Sequence, residues 1–303
     1  MRKFIFKIIA FSLIIILCFF LVLSFADGYT DDWYIKFTTP RQESLILGTS
    51  RAAQGLKPDV FNTICNVNMF NFAFTITQSP YGKTYFNSIK NKIKRGNRAG
   101  VFILTIDPWS ISSITENPND SVNFRETSLC LGNTENVNVN PNFEYLINNL
   151  AGNYWEIIAR KYVKGVKGSK FLHKDGWLEV SVPMDSAIVN KRINEKVNGY
   201  AQSSKHYHYS TLRMHYLKKT IDFLNNYGDV YLVRLPMHPR LMEIDNDLMP
   251  DFNDKFADLI PTTKGYFDMT SLNGEFSYTD GNHLHKSSSK IVSEKIAKWI
   301  NAK

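Results

Sequence analysis

The stretch Ser44-Leu45-Ile46-Leu47-Gly48-Thr49-Ser50-Arg51-Ala52 indicates both the type of fold and one part of a candidate site. Its first four residues form a short apolar run, which is typical of a strand buried on both faces. Gly48 supplies backbone freedom for a tight turn. Ser50 follows where a helix would begin, and it has two interpretations. It is either the N-cap of that helix or a nucleophile held at the turn.

Strand-like and helix-like segments alternate along the rest of the chain. Apolar, β-branched and aromatic runs predict strands at residues 44–47, 67–73, 100–106, 229–235 and 266–268. Helical spacing predicts helices at residues 81–95, 143–162, 185–199, 211–227 and 287–301. This alternation predicts an α/β fold with a doubly wound parallel sheet of about five strands. Ligands bind such sheets at the carboxyl ends of the strands, and Ser50, Asp107 and His238 each follow a predicted strand.

A second informative stretch, Tyr278-Thr279-Asp280-Gly281-Asn282-His283-Leu284, lies just before the last predicted helix. It places an aspartate and a histidine three positions apart. Ser50, His283 and Asp280 together provide a nucleophile, a base and a group that orients the base, which is the logic of a Ser-His-Asp triad. Taken alone, each fragment has an ordinary interpretation, a capped turn or a solvated loop. The combination predicts an acyl-transfer site.

The two motifs resemble those of the SGNH (GDSL-type) hydrolases. In that family a Gly-x-Ser follows the first strand, as Leu47-Gly48-Thr49-Ser50 does here, and an Asp-x-x-His precedes the last helix, as residues 280–284 do. The resemblance implies a flavodoxin-like sheet and a triad of Ser50, His283 and Asp280. Its spacing favours His283 over the nearby His285 as the base.

Two other motifs of that family are incomplete in this chain. The second block, Asn-x-x-x-x-Gly, corresponds to residues 71–76, with Asn71 at its start and Ile76 in place of the glycine. The third block normally supplies an oxyanion-hole asparagine, but here the third strand runs into Asp107-Pro108-Trp109. Loss of one oxyanion donor typically lowers the rate by about two to three orders of magnitude.

The remaining oxyanion candidates are therefore backbone groups. The N–H of Ser50 lies at a predicted helix start, where the helix dipole helps, and a second N–H near Thr75 or Ile76 is a further candidate. Asn71 and Asp107 are other residues expected near the cleft, and His238 either lines the cleft or makes a turn. The Asp-Pro-Trp sequence resembles membrane-anchored SGNH proteins that acylate cell-envelope polymers. That resemblance implies a glycan or envelope polymer as substrate and a membrane-bound O-acyltransferase as partner.

The N-terminus predicts a membrane segment. Met1-Arg2-Lys3 is basic, and the 19 residues from Ile8 to Ala26 are nearly all apolar, close to the roughly 20 that a spanning helix needs. Residues 1–27 are expected to be an uncleaved anchor with the basic end in the cytoplasm and the following domain outside. A cleaved secretory signal is the alternative, because Ser24-Phe25-Ala26 fits a small-x-small cleavage site.

Residues 28–303 are long enough for one extracytoplasmic α/β domain with an insertion. The insertion is expected at residues 110–205, where the periodicity loosens, and it is predicted to cap the cleft. It includes a basic loop at residues 164–170. His173, Asp175 and Trp177 either cover the substrate or form a β-turn with a packed tryptophan. Arg51 either binds an anionic group of the substrate or forms an exposed salt bridge.

Composition limits the classes of partner. The chain is 44% hydrophobic and 21% charged, as in ordinary globular proteins, and Arg2, Lys3 and Lys7 contribute three of its net +8 charges. A nucleic-acid partner is not expected for this mildly basic outer domain. Cys65 and Cys130 do not make a disulfide framework; they could pair or remain free thiols. No Cys/His spacing predicts a metal site, and no cofactor is implied.

The sequence therefore predicts serine-dependent acyl transfer or ester hydrolysis on an extracytoplasmic glycan or envelope polymer. A non-catalytic SGNH-like glycan-binding or assembly subunit beside a membrane-bound O-acyltransferase is the first alternative, favoured by the missing oxyanion asparagine. A secreted carboxylesterase is the second, and it requires cleavage of the N-terminal segment.

Overall fold

The computed structural model describes residues 1–96, 98–163 and 168–303. Most of the expected basic loop at 164–170 lies outside the described residues. The strands are β1 (Ser44–Leu47), β2 (Met69–Asn71), β3 (Gly100–Thr105), β4 (Ser112–Ser113), β5 (Lys170–Leu172), β6 (Leu178–Val180), β7 (His208–Tyr209), β8 (Gly228–Arg234) and β9 (Gly265–Asp268).

The helices are α1 (Arg2–Leu23), α2 (Tyr34–Thr38), α3 (Ser50–Gly55), α4 (Pro58–Cys65), α5 (Lys83–Lys92), α6 (Cys130–Asn133), α7 (Phe143–Asn149), α8 (Glu156–Tyr162), α9 (Ser186–Ser204), α10 (Thr211–Leu224), α11 (Pro239–Leu248), α12 (Phe252–Lys255) and α13 (Lys286–Asn301). Short 3-10 helices lie at Pro108–Ile111, Arg125–Ser128, Ala257–Thr262 and Thr270–Glu275.

Five strands form one parallel sheet in the order β2-β1-β3-β8-β9. The longest pairing joins β3 to β8, from Gly100 opposite Gly228 to Thr105 opposite Val233. Because the strands are parallel, their carboxyl ends meet at one edge of the sheet, where ligands of such sheets bind. The α/β class and the five-stranded parallel sheet predicted from the sequence are confirmed.

Successive residues of the sheet point into two apolar layers. Phe102 and Leu104 of β3 lie in the same buried cluster as Leu217 of α10. Ile103, between them, lies in a second cluster with Val292 of α13. Helices therefore pack on both faces of the sheet. Burial on both faces explains why these strands have continuous apolar runs rather than alternating apolar and polar residues.

Several element boundaries differ from the predicted ones. The helix expected at 143–162 is two helices, α7 and α8, separated by residues that include Gly152, a poor helix former. Helices α4 and α11 were not predicted, although each has a proline at its start, which is a recognised helix-start signal. Cys65 and Cys130 are both free thiols.

The N-terminal helix α1 is long and apolar enough to cross a membrane, and a signal sequence would meet the same criterion. The most apolar part of α1 makes no contact that buries it. Its last residue is different: Leu23 is fully buried and belongs to the same apolar cluster as Phe37 and Phe74. Phe19 and Ala26 also pack against that cluster. The end of α1 is therefore continuous with the core of the α/β domain.

Candidate active site

Ser50, His283 and Asp280 lie in line at hydrogen-bonding distance. Ser50 Oγ is 2.9 Å from His283 Nε2. His283 Nδ1 is 2.9 Å from Asp280 Oδ2 and 3.1 Å from Oδ1. His285 lies elsewhere, since its Nδ1 is 2.8 Å from Ser287 Oγ and it caps α13. The structure thus brings together the three residues that were singled out from the sequence. His283, rather than His285, is the histidine that contacts the Ser50 hydroxyl.

A glycine shapes each of the two motifs. Gly48 has φ +140°, and a Cβ placed there would lie 1.8 Å from Thr105 Oγ1 on the adjacent strand β3. Gly281 has φ +85°, and a Cβ there would lie 3.0 Å from Leu241 Cδ1. Both backbone conformations are rarely open to other residues. They turn the chain sharply at the end of β1 and between Asp280 and His283.

The Asp280 carboxylate orders the loop that carries the histidine. Its Oδ1 accepts hydrogen bonds from the backbone N–H groups of Asn282, at 3.0 Å, and His283, at 2.9 Å. The Thr279 N–H donates to the His283 carbonyl at 2.8 Å. This local arrangement fixes the imidazole over Ser50 and follows directly from the Asp-x-x-His spacing.

Lys196 is the cation nearest to this carboxylate. It lies on α9, within the predicted insertion, and its Nζ is 3.2 Å from Asp280 Oδ2. Burial acts to raise the pKa of Asp280, but the attraction of His283 and Lys196 and the hydrogen bonds from His283 hold that pKa well below its usual value. Asp280 is therefore ionised at neutral pH, as a group that orients a histidine must be.

The side chain of Arg51 is buried inside the domain and does not cover the triad. It is 6% exposed, and its guanidinium donates to the two carboxylate oxygens of Asp245 at 2.8 and 3.2 Å. Its NH1 is also 3.6 Å from Asp107 Oδ2. Burial acts to lower the pKa of Arg51, but Asp245 and Asp107 raise it above its usual value. The exposed salt bridge expected for Arg51 is wrong, because the residue after Ser50 turns inward on α3.

Asn282 joins this buried cluster to the base. Its Oδ1 accepts from Arg51 Nε at 2.8 Å, and its Nδ2 is 3.2 Å from His283 Nε2. Trp109 Nε1 donates to Asp245 Oδ1 at 2.6 Å and so holds the other end of the cluster. Sequence reasoning missed Asn282, Asp245 and Lys196. Asn282 lies inside the Asp-x-x-His motif, where it was quoted but given no role, whereas Asp245 lies on a helix that was not predicted.

Asp107 and Asn71 have structural roles. The Asp107 carboxylate accepts from the Ser110 N–H at 2.8 Å, and Thr49 Oγ1 donates to it at 3.5 Å. Burial raises its pKa, although Arg51 acts in the opposite direction. Asn71 is fully buried, and its Nδ2 donates to the carbonyls of Ala52 and Leu56 at 2.9 and 3.0 Å. Both N–H donors of the Asn71 amide are therefore used to cap α3, so the side chain of this cleft candidate is held by the fold.

The loop containing Thr75 and Ile76 is adjacent to the serine turn. Ser79 Oγ donates to the Gly48 carbonyl at 2.7 Å, and the Phe74 N–H donates to the same carbonyl at 3.3 Å. The Thr75 hydroxyl is 2.6 Å from that of Thr77. These hydrogen bonds hold the loop beside Gly48, and Gly48 lies two residues before Ser50 in the chain.

His238 supports the loop of the base. Its backbone N–H donates to the Gly281 carbonyl at 2.8 Å, and its Nδ1 accepts from the Arg240 N–H at 3.3 Å as the cap of α11. The sequence left open whether His238 lines the cleft or makes a turn. Its hydrogen bonds are those of a turn that braces Gly281.

His173, Asp175 and Trp177 lie at the tip of the antiparallel β5–β6 hairpin. Trp177 is 5% exposed, and its Nε1 donates to the Gln54 carbonyl at 2.8 Å. The Asp175 carbonyl accepts from the Asn71 N–H at 2.8 Å, and His173 pairs with Glu179. These contacts attach the hairpin to α3 and β2. They match a β-turn with a packed tryptophan, the second of the two interpretations of these residues. The predicted cap does contact the triad at another point, because Lys196 of α9 pairs with Asp280.

Among the residues that the structure describes, no three or more His, Cys, Asp or Glu side chains are grouped so as to hold a metal ion. No known protein-family model matches this chain, and no curated protein matches its sequence. The site is therefore interpreted from its own geometry.

Proposed function

We propose that this protein is a serine-dependent acyltransferase or esterase that acts on a glycan or envelope polymer outside the cytoplasm. The observation that carries the proposal is the continuous contact from Ser50 Oγ through His283 to Asp280, with 2.9 Å at each junction. A serine, a histidine and a carboxylate in this order activate the serine toward an acyl carbon.

In the proposed mechanism, His283 Nε2 accepts the hydroxyl proton while Ser50 Oγ attacks the carbonyl carbon of the acyl donor. His283 Nδ1–H donates to Asp280, which stabilises the imidazolium. The tetrahedral intermediate then expels the donor alkoxide, which takes the proton from His283, and acyl-Ser50 remains. A sugar hydroxyl or water next gives its proton to His283 and attacks the acyl carbon. The second tetrahedral intermediate then breaks its bond to Ser50 Oγ, which leaves with the proton from His283, so that both residues return to their starting state.

The oxyanion of both tetrahedral intermediates needs hydrogen-bond donors. We assign the backbone N–H of Ser50 as the first donor, because amides in the first turn of a helix lack an intrahelical acceptor. A backbone N–H of the Thr75–Ile76 loop is the proposed second donor, since that loop is bonded to Gly48. Both donors belong to the backbone, in keeping with the use of Asn71 to cap α3.

The arrangement of the sheet supports an SGNH-type assignment. Counted within the parallel sheet alone, the strand order is 2-1-3-4-5, which is the order of doubly wound flavodoxin-like sheets. The serine follows the first strand and the Asp-x-x-His precedes the last helix, as in that family. We therefore propose that the domain is doubly wound and SGNH-like.

We further propose that α1 stays in place as a membrane anchor with the α/β domain outside. Arg2, Lys3 and Lys7 would keep the N-terminus in the cytoplasm. Burial of Leu23 supports an uncleaved helix, because cleavage after Ala26 would remove Leu23 from the core. A membrane-bound O-acyltransferase is the proposed acyl source, on the strength of the Asp107-Pro108-Trp109 resemblance.

The test is covalent labelling of the full chain in detergent with a fluorophosphonate, read by intact mass. One adduct is expected on the wild type and none on Ser50→Ala. Ser287→Ala is the matched control, because Ser287 Oγ also contacts a histidine, His285 Nδ1, at 2.8 Å; it should keep the adduct. A folded wild-type chain that takes no label would overturn the proposal and favour a binding subunit. A label that persists in Ser50→Ala would overturn it by showing that a different residue reacts.

A further inference from the structure

Several apolar and aromatic side chains are exposed beside the end of α1. We call this set the juxtamembrane patch, and it consists of Phe25, Ile147, Tyr154, Trp155, Tyr162 and Val163, each 40% exposed or more. Trp155 and Tyr162 are the most open, at 58% and 74%. A contiguous exposed apolar surface marks a place where a protein contacts another phase or molecule.

Helix α8 has two different faces. Ile157 and Ala159 are buried against the domain. Trp155 and Tyr162 are seven residues apart, which is about two turns of an α-helix, so they lie on the same side and point away from the core. The helix therefore presents aromatic rings outward at positions that a water-facing helix would give to charged residues.

The juxtamembrane patch lies beside the C-terminal end of α1. The rings of Phe19 and Tyr154 meet edge to face with centroids 5.0 Å apart, and those of Phe20 and Phe143 meet with centroids 4.8 Å apart. Phe19 and Phe20 are within four residues of Leu23, the last residue of α1, which is a rise of about 6 Å or less. A 22-residue helix is about 33 Å long, slightly more than the roughly 30 Å of bilayer hydrocarbon.

These distances leave little room between the patch and the bilayer. If α1 crosses a membrane, Phe19 and Phe20 lie at the boundary between hydrocarbon and headgroups, and Phe143 and Tyr154 lie there with them. Lys161 fixes this arrangement, because its Nζ donates to the Phe25 carbonyl and pairs with Asp27 at 3.0 Å. If α1 spans a bilayer, the contacts that hold α1 to the domain therefore also hold the patch near the bilayer surface.

We propose that the juxtamembrane patch binds the lipid surface of the bilayer that α1 crosses, so that the domain rests against the membrane. Tryptophan and tyrosine are the residues that concentrate at membrane–water interfaces, where the ring contacts lipid and the polar atom contacts water. The nearby cations Arg160 and Lys161 already pair with Glu156 and Asp27, so apolar contact is the main attraction. This inference rests on the proposed membrane anchor, but it goes beyond the proposed chemistry and does not depend on Ser50.

The experiment uses the full chain in phosphatidylcholine vesicles, with and without bromine at carbons 6 and 7 of one acyl chain. Bromine quenches tryptophan emission only at close range, and the chain has five tryptophans. Emission from the wild type is expected to fall in brominated vesicles, and Trp155→Phe should lose most of that decrease. The matched control is Trp177→Phe, since Trp177 is 5% exposed within the hairpin; it should retain the decrease.

Each contrary result has a definite meaning. Equal quenching of the wild type and Trp155→Phe would overturn the inference, because the quenched tryptophan would lie elsewhere. Absence of quenching in a chain that resists alkaline carbonate extraction would overturn it while leaving the anchor intact, and would point to a protein as the occupant. Release of the chain by carbonate would overturn the anchor and the inference together.

Discussion

Asp280 is in contact with four groups at once: the imidazole of His283, two backbone N–H groups and the ammonium of Lys196. All of these favour the charged carboxylate over the neutral acid. They outweigh partial burial, which favours the neutral form, and the pKa of Asp280 is lowered as a result. This one residue therefore links the geometry of the loop, the orientation of the His283 imidazole and the response of the fold to pH.

The lowered pKa of Asp280 predicts a pH dependence of stability. A carboxyl with a lower pKa in the folded than in the unfolded state stabilises the fold above its unfolded pKa of about 3.9, and the contribution is lost as the pH falls through the folded value. In urea unfolding, the advantage of the wild type over Asp280→Asn should be constant from about pH 6 to 8 and shrink below about pH 4.

The control for this measurement is Asp229→Asn. Asp229 forms an exposed pair with Lys264, with both side chains at least half exposed, and such pairs contribute about 0–1 kcal/mol. Little change in the urea midpoint is expected across the pH range. An advantage over Asp280→Asn that grew on acidification would contradict the assignment of Asp280 as a stabilised carboxylate.

Arg51 carries a second prediction at the residue scale. Arg51→Met leaves the buried carboxylates of Asp245 and Asp107 without their cation, and breaking a buried pair typically lowers the free energy of unfolding by about 3–5 kcal/mol. Lys94→Met breaks an exposed pair with Glu43, in which the lysine side chain is 57% exposed, and about 1 kcal/mol or less is expected. Urea unfolding of both variants checks this, and equal losses would contradict it.

At the scale of elements, the turn from β1 into α3 decides where the serine lies. Consecutive residues of a helix point in directions about 100° apart. Ser50 can therefore face His283 while Arg51, the next residue, faces the interior. The turn itself depends on Gly48, whose φ of +140° and close contact with Thr105 exclude a side chain.

Gly48→Ala is thus expected to destabilise the fold. The backbone strain alone is worth about 1–3 kcal/mol, and the overlap with Thr105 Oγ1 adds to it. Thr105→Ala removes that oxygen, so the double variant Gly48→Ala/Thr105→Ala should be more stable than the sum of the two single losses indicates. A double-mutant cycle by urea unfolding measures this coupling. Strictly additive losses of stability would show that the Thr105 hydroxyl is not the group with which a side chain at position 48 overlaps.

The elements that the sequence predicted well are those with a strong local pattern. Strands β1, β3 and β8 were found because burial on both faces makes them largely apolar. The edge strand β9 is only partly buried, and it was found from its aromatic residues Tyr266 and Phe267. Helices α4 and α11 were missed because they are short, at 8 and 10 residues, and the main signal for the start of each is a single proline. The break between α7 and α8 was missed because apolar spacing continues across it. At that break, beside Gly152, the ring of Tyr154 contacts the ring of Phe19 of α1.

At the scale of the whole molecule, α1 is exposed along most of its length and joins the core of the domain at its end. Leu23 is fully buried in the core, whereas Leu13 on the same helix is 60% exposed. Leu23→Ala should lower the free energy of unfolding of the α/β domain by about 2–5 kcal/mol, as for other buried leucines. Leu13→Ala should leave it unchanged.

Thermal or urea unfolding of the full chain in detergent micelles compares these two variants. The same shift for both, or none for Leu23→Ala, would show that the end of α1 is not part of the domain core. The predicted difference would instead support an uncleaved N-terminus, because a domain cut after Ala26 would lose the side chain that Leu23 contributes.

The sequence by itself determined the α/β class, the approximate positions of the five strands of the parallel sheet, the apolar N-terminal helix and the two motifs that contain Ser50, Asp280 and His283. These depend on local features: apolar runs, a glycine at a turn and a short spacing between polar residues. Only the tertiary structure decided that Ser50 meets His283, 233 positions away, that Arg51 pairs with Asp245 rather than with solvent, and that Lys196 reaches Asp280. Such contacts arise where the carboxyl ends of parallel strands and their loops converge, and no local pattern encodes which distant residues meet there.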